Sequence, residues 1–212
     1  MYWLVRTVTS SIGKKMIMAI TGLIFCLFLL VHLVGNLTLY GGKDLFTAYV
    51  DHLHSYGPLV TLAELVLLAL ALTHIFMGAI LFYQNVRARP VRYAVKKGAG
   101  GRTIASATIP YTGLILLAFI ILHLITFRFV DKTKVTDFQI VTNTFAQPWY
   151  VAIYVIVVIV VAFHVKHGLW SAFQTLGANH PKYMPVIQGA SWIFSLMVGA
   201  GFASIPVILS SS

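Results

Sequence analysis

Negative charge is scarce in this chain. Five acids stand against 15 Lys and Arg among 212 residues, and only 9% of positions are charged at all. Cysteine occurs once, as Cys26 inside an apolar run. That excludes an internal disulfide and any cysteine cluster for zinc or an iron–sulfur centre. The polar surface a soluble domain needs is also missing, because 59% of residues are hydrophobic and the mean hydropathy is +0.88. A soluble domain of this length has too little interior to hide so much apolar surface, so the chain reads as an integral membrane protein. The net charge of +10 raises nucleic acid as a partner. In so apolar a chain it reports topology and contact with anionic membrane lipids or a soluble partner instead, and no nucleic acid is expected. No small-residue cleavage site follows the first apolar run, which is therefore expected to stay as a helix. The chain shows no low-complexity tract, no second domain and no evident internal repeat.

What the chain does have is five apolar stretches long enough to cross a bilayer, which takes roughly 20 residues. They cover about 16–39, 59–85, 106–128, 149–176 and 185–209. The expected fold is an all-α five-helix membrane bundle in a single domain. Lys and Arg counts orient it. Arg6, Lys14 and Lys15 in the N-terminal arm, Arg87, Arg89, Arg92, Lys96, Lys97 and Arg102 after helix two, and Lys182 after helix four share one side. Lys43, Arg128, Lys132 and Lys134 lie on the other. The positive-inside rule then puts the N-terminus in the cytoplasm and the C-terminus outside. The acids Asp44, Asp51, Glu64, Asp131 and Asp137 all fall on or near the outer side. The outer segments 40–58 and 129–148 read as short interfacial helices, and Gly98, Gly100 and Gly101 make the inner loop flexible. Trp3, Trp149, Tyr150 and Trp170 fit an aromatic belt at the membrane surfaces.

Four histidines sit inside these runs: His32, His74, His123 and His164. Ionisable groups at membrane depth are costly and usually functional. At ~1.5 Å per helical residue their depths can be compared. His32 lies 17 residues beyond Lys15 and His123 lies 21 beyond Arg102, both toward the outside. His74 precedes Arg87 by 13 residues, and His164 precedes Gly177, the expected helix end, by 13, both toward the inside. An outer pair and an inner pair suit two stacked haems with two axial histidines each, a ligation that favours electron transfer over oxygen chemistry. Gly78 and Gly168, one turn from His74 and His164, leave room for a flat macrocycle. His167 shares a face with His164, so spacing alone leaves both as ligands. The ordinary alternative for a single such histidine is an interhelical hydrogen bond. His52, His54 and His180 fall in loops.

The segments Ser10-Ser11-Ile12-Gly13-Lys14-Lys15, Met18-Ala19-Ile20-Thr21-Gly22-Leu23 and His32-Leu33-Val34-Gly35-Asn36-Leu37 resemble the start of a known family. It is the cytochrome b subunit of succinate dehydrogenase and fumarate reductase, of the single-anchor, five-helix, two-haem type. Residues 163–177, from Phe163 through His164, Gly168 and Trp170 to Gly177, are similar to that family's fourth helix. The resemblance covers nearly the whole chain. It implies His164 over His167 as the ligand, and pairs helix one with three and two with four. It further implies a flavoprotein partner with covalent FAD, an iron–sulfur subunit docked on the cytoplasmic face, and menaquinone as the membrane carrier. The location implied is a bacterial cytoplasmic membrane, in respiration and the tricarboxylic acid cycle, with a dimer of the whole complex as one arrangement. Some members carry a glutamate two residues before the helix-four histidine, linked to proton movement. Ala162 stands there in this chain, so that path does not carry over.

The expected sites follow. Two haems b are held by His32 and His123 (outer) and by His74 and His164 (inner). Proton exchange with quinone needs an ionisable group, for which Glu64 is the first candidate and Asp51, His52 and His54 follow. Haem propionates want cationic or hydrogen-bonding partners. Arg128 is placed for the outer group, and Lys166, His167 and Ser171 for the inner; Lys14 and Lys15 serve propionates or snorkel to lipid headgroups. The competing functions are the dihaem anchor of a hydrogenase, formate dehydrogenase or nitrate reductase, and a haem-free transporter. The latter would show broken helices or paired repeats.

Overall fold

A computed structural model of the chain describes residues 2–88 and 104–211, and everything described is helix, turn or short connection with no strand. The inner-loop residues Arg89, Arg92, Lys96, Lys97, Arg102, Gly98, Gly100 and Gly101 lie outside the described residues. Eight α-helices follow in order: α1 (Tyr2–Thr9), α2 (Ser11–Leu37), α3 (Gly42–Ser55), α4 (Pro58–Arg87), α5 (Ile104–His123), α6 (Asp137–Phe145), α7 (Pro148–Thr175) and α8 (Met184–Leu209). Five apolar segments, based on α2, α4, α5, α7 and α8, are long enough to span a bilayer, consistent with a multi-pass membrane protein.

Local chemistry sets the ends. Ser10 caps α2, its hydroxyl accepting from the Gly13 N–H at 3.0 Å, so the helix begins at Ser11 and Lys14 and Lys15 ride on its first turns. The N-terminal arm forms α1, held tightly by that junction, since a Cβ at Gly13 would meet the Thr7 carbonyl. Pro58 and Pro148 open α4 and α7 at a position whose N–H has no helical partner to lose. Gly177, at φ 103°, ends α7 in a Schellman arrangement: the Ala178 N–H reaches the Phe173 carbonyl at 2.9 Å and the Gly177 N–H the Gln174 carbonyl at 3.2 Å. Outside the spans, α6 starts with a capping box between Thr136 and Gln139, and Lys132 pairs with Asp137. The segments 40–58 and 129–148 therefore do carry the two short helices α3 and α6.

Helices α2, α4, α5 and α7 form a ring, each packed on its two neighbours: α2 on α4, α4 on α5, α5 on α7 and α7 on α2. Helix α8 lies outside the ring against α7 and α2. Its contact stripe is Ser191, Ser195, Val198 and Ile205, all buried. The two serines satisfy their hydroxyls on carbonyls of their own helix, at 2.8 and 3.0 Å. Small residues let the helices approach closely, as is usual between membrane helices. A Cβ at Gly199 would lie 3.1 Å from Ala162, so the small side chain of Ala162 on α7 seats α8. The opposite faces are apolar and outward: Leu27, Val31 and Val34 of α2 are 60–65% exposed, a surface suited to lipid and costly in water.

The ring is not tightly filled. No residue of α4 is buried, although the helix runs for 30 residues between α2 and α5. The buried apolar cluster sits toward the end of the bundle that carries α3 and α6 instead, built from Leu33, Leu39, Phe46, Phe145, Tyr154 and Ile205.

Candidate functional site

All four membrane histidines are partly buried, none exposed, and each comes from a different helix of the ring: His32 on α2, His74 on α4, His123 on α5 and His164 on α7. They divide into two couples, of which one is in direct ring contact. His32 and His123 face each other with ring centres 5.9 Å apart and planes at 86°. His74 and His164 lie within electrostatic reach of one another. Metal–imidazole bonds of about 2.0–2.1 Å place two axial ring centres roughly 6 Å apart, so the outer separation fits one metal between two histidines.

Each pair has its own surroundings. Around the outer one the rings of Phe28 and Phe202 lie 5.2 and 5.6 Å from His32, and those of Phe127 and Phe119 lie 5.2 and 5.8 Å from His123. The Tyr154 hydroxyl is 3.3 Å from His123 Nδ1, and Asn36 Nδ2 is 3.5 Å from His32 Nδ1. Around the inner one the contacts are hydroxyls: Thr21 Oγ1 is 2.8 Å from His74 Nδ1, and Thr112 Oγ1 is 3.0 Å from His164 Nδ1. The glycine after each threonine faces the same ring. A Cβ on Gly22 would lie 3.5 Å from Cε1 of His74, and one on Gly113 would lie 3.7 Å from Cε1 of His164. In all four histidines the polar contact is at Nδ1, which leaves Nε2 for an axial bond. Four imidazoles from four helices, one couple face to face and bare backbone beside the inner rings, are a donor set that fits two bis-histidine haems. Among the described residues no group of three or more His, Cys, Asp or Glu stands together to hold a metal ion. A haem needs only two such ligands.

The remaining expected residues fall into different settings. Glu64 and Arg128 are partners of one another, through Nε to Oε1 and Nη2 to Oε2 hydrogen bonds of 2.9 Å each. Arg128 reaches Glu64 from the last residue of a π-helical turn, Leu124–Arg128, that follows His123 directly. Such wide turns are commonest at functional sites. Lys166 places its ammonium 3.7 Å over the Trp192 ring of α8. His167 packs its ring on Trp170 and buries an Nδ1 that has no hydrogen-bond partner among the described residues. Ser171 is partly buried on α7, its carbonyl accepting from the Thr175 hydroxyl at 2.8 Å. Gly168 faces open space, whereas Gly78 packs toward Met18. His52, His54 and Asp51 lie on exposed positions of α3, and His52 contacts Tyr56. An open recess of about 390 Å³ lies beside the π-turn, with Leu122, Ile125, Thr126, Asn143 and Tyr150 among its lining.

Thr21, Gly22, Thr112 and Gly113 are missing from the residues expected on sequence grounds, yet a signal for them is present. Thr-Gly-Leu-Ile occurs twice, at 21–24 and 112–115, each followed seven residues on from its Thr by Phe (Phe28, Phe119) and eleven on by His (His32, His123). His-x-x-x-Gly recurs likewise at His74–Gly78 and His164–Gly168. Short strings are thus shared between α2 and α5 and between α4 and α7. The match escapes notice because a few fixed positions are diluted in apolar sequence that any spanning helix shares. Comparison with family models, with curated proteins and with solved structures finds no match for this chain.

Proposed function

We propose that the protein is the dihaem cytochrome b anchor of a succinate:quinone oxidoreductase, a succinate dehydrogenase or fumarate reductase. On this reading it passes electrons between menaquinone or menaquinol in a bacterial cytoplasmic membrane and an iron–sulfur subunit, itself joined to a flavoprotein with FAD. The observation that carries it is the facing of His32 and His123, with all four histidines drawn from the four helices of one ring and each contacted at Nδ1. His32 and His123 hold the outer haem b, and His74 and His164 the inner. Haem b, when bound, would supply one-electron exchange.

The chain's own residues do the rest. The ring of α2, α4, α5 and α7 keeps water and lipid from the imidazoles. The aromatic cage of Phe28, Phe119, Phe127 and Phe202 gives the outer pair a low-dielectric wall. Lys and Arg asymmetry orients the N-terminus to the cytoplasm, where the basic face takes the iron–sulfur subunit. Menaquinone belongs at the outer end, with Glu64 as the proton-exchanging group and Arg128 holding its carboxylate in place. The recess beside the π-turn is within the size range of small-molecule sites.

The deciding experiment is a redox-titrated absorption spectrum of the complex purified from membranes. Two low-spin b haems per chain are expected, and their absence overturns the reading. Co-purification of a flavoprotein separates this anchor from those of hydrogenases, formate dehydrogenases and nitrate reductases.

A further inference from the structure

The inner imidazoles are each held at the same nitrogen by a threonine from the neighbouring helix. A hydroxyl has one hydrogen to donate and lone pairs to accept with. Thr21 donates its hydrogen to the Ile17 carbonyl at 2.8 Å, with Met18 O at 3.2 Å, and Thr112 donates to the Ile109 carbonyl at 3.0 Å. With those hydrogens committed within their own helices, the Oγ1 atoms present lone pairs to His74 Nδ1 and His164 Nδ1. A hydrogen on each Nδ1 would match those lone pairs and leave the electron pair on Nε2. Gly22 and Gly113 reinforce the arrangement independently, since each leaves bare backbone against the Cε1 edge of the ring its threonine holds. Each set joins two neighbouring helices of the ring, α2 with α4 and α5 with α7. The bond joins residues 53 positions apart in one half and 52 in the other.

We propose that Thr21 and Thr112 are positioning residues that fix His74 and His164 as the Nδ1–H tautomer, aim both Nε2 atoms at one metal, and tune the potential of the inner haem. The proposal rests on the dihaem reading. A ligating histidine whose other nitrogen donates a hydrogen bond is a more basic ligand, and a more basic ligand favours the ferric form. Removing either hydroxyl therefore raises the inner potential. Because His74 and His164 would hold the same haem, the two removals act on one potential and add.

The test is a potentiometric titration of the intact complex carrying T21V, T112V, the double Val substitution, T21S or T112S. Valine keeps the branched shape and deletes the hydroxyl, while serine restores it. Both haems are expected to stay low-spin in the single Val variants. One midpoint rises by up to a tenfold change in ferric preference, about 59 mV for a one-electron couple, while the other stays put. The double variant shows the sum, and the Ser variants return to the wild-type value. Loss of the inner haem in a Val variant with full retention in its Ser counterpart also supports the assignment. Two haems with both midpoints unmoved in the double Val variant overturn it, as does a loss that serine fails to restore. A wild-type complex without low-spin b haem overturns the dihaem reading itself, an outcome distinct from the others.

Discussion

Arg128 clasps Glu64 with two near-parallel hydrogen bonds, bridging 64 positions of sequence and tying the end of α5 to the early turns of α4. The side chains are 52% and 42% exposed, so in water the pair would contribute roughly 0–1 kcal/mol. Its value lies in where it holds a carboxylate. E64Q keeps the shape and removes the exchangeable charge, and is expected to abolish quinone-linked turnover with the haem spectra intact. R128Q breaks the same ion pair but spares the carboxylate, and is expected to keep part of the turnover. Full turnover in E64Q removes Glu64 from the quinone chemistry, and equal losses in the two variants assign the effect to the pair's geometry.

His164 and His167 share one face of α7 and separate by environment. His164 Nδ1 is held by Thr112, whereas His167 has a buried Nδ1 without a partner among the described residues and a ring against Trp170. H164A is expected to lose one of two b haems, and H167A to keep both, as counted by haem extracted per chain. The reverse pattern moves the inner ligand one turn along.

Gly22 and Gly113 predict a threshold in side-chain size. A methyl group at 3.5 and 3.7 Å from the imidazole edge is ordinary contact, so G22A and G113A are expected to retain both haems. G22L and G113L push His74 or His164 aside and remove the inner haem alone. Reduced-minus-oxidised spectra at low temperature separate the two signals. Retention of both haems in the Leu variants means the glycines do not guard the site.

Gly35 seats α3 on α2. A Cβ there would run into the Tyr49 ring, which rests directly on the bare backbone. G35A is expected to cost about 1–3 kcal/mol by overpacking, lowering the thermal midpoint in detergent. The second substitution Y49A, which clears the space, recovers part of the loss. A midpoint unchanged in G35A shows that α3 shifts without cost.

The spans were legible because the strongest physical demand on this chain is to satisfy backbone polar groups in an apolar surrounding, and long apolar runs answer it directly. Pro58, Pro148 and Gly177 mark their helix ends in sequence, and the observed bounds fall within a few residues of the expected ones. The start of α2 was less legible. Lys14 and Lys15 suggest a polar arm ending after them, yet the Ser10 cap starts the helix ahead of both. The π-turn after His123 has no sequence mark, and it decides where Arg128 reaches. The Glu64–Arg128 and Thr–His contacts join distant positions, so helical periodicity cannot reveal them. Only the twice-used Thr-Gly-Leu-Ile string points to the inner contacts.

The division of the four histidines between α2–α4 and α5–α7 bears on assembly. On the proposed dihaem reading, each helix pair would supply one histidine to the outer haem and one to the inner, so neither would own a complete site. Were the chain cut between α4 and α5, each fragment would carry two donors without their counterparts, and only their reunion would bind either haem. Cofactor loading would then act as a checkpoint on biogenesis: a chain halted after its second span would stay colourless, and pigment would certify that both hairpins have found each other.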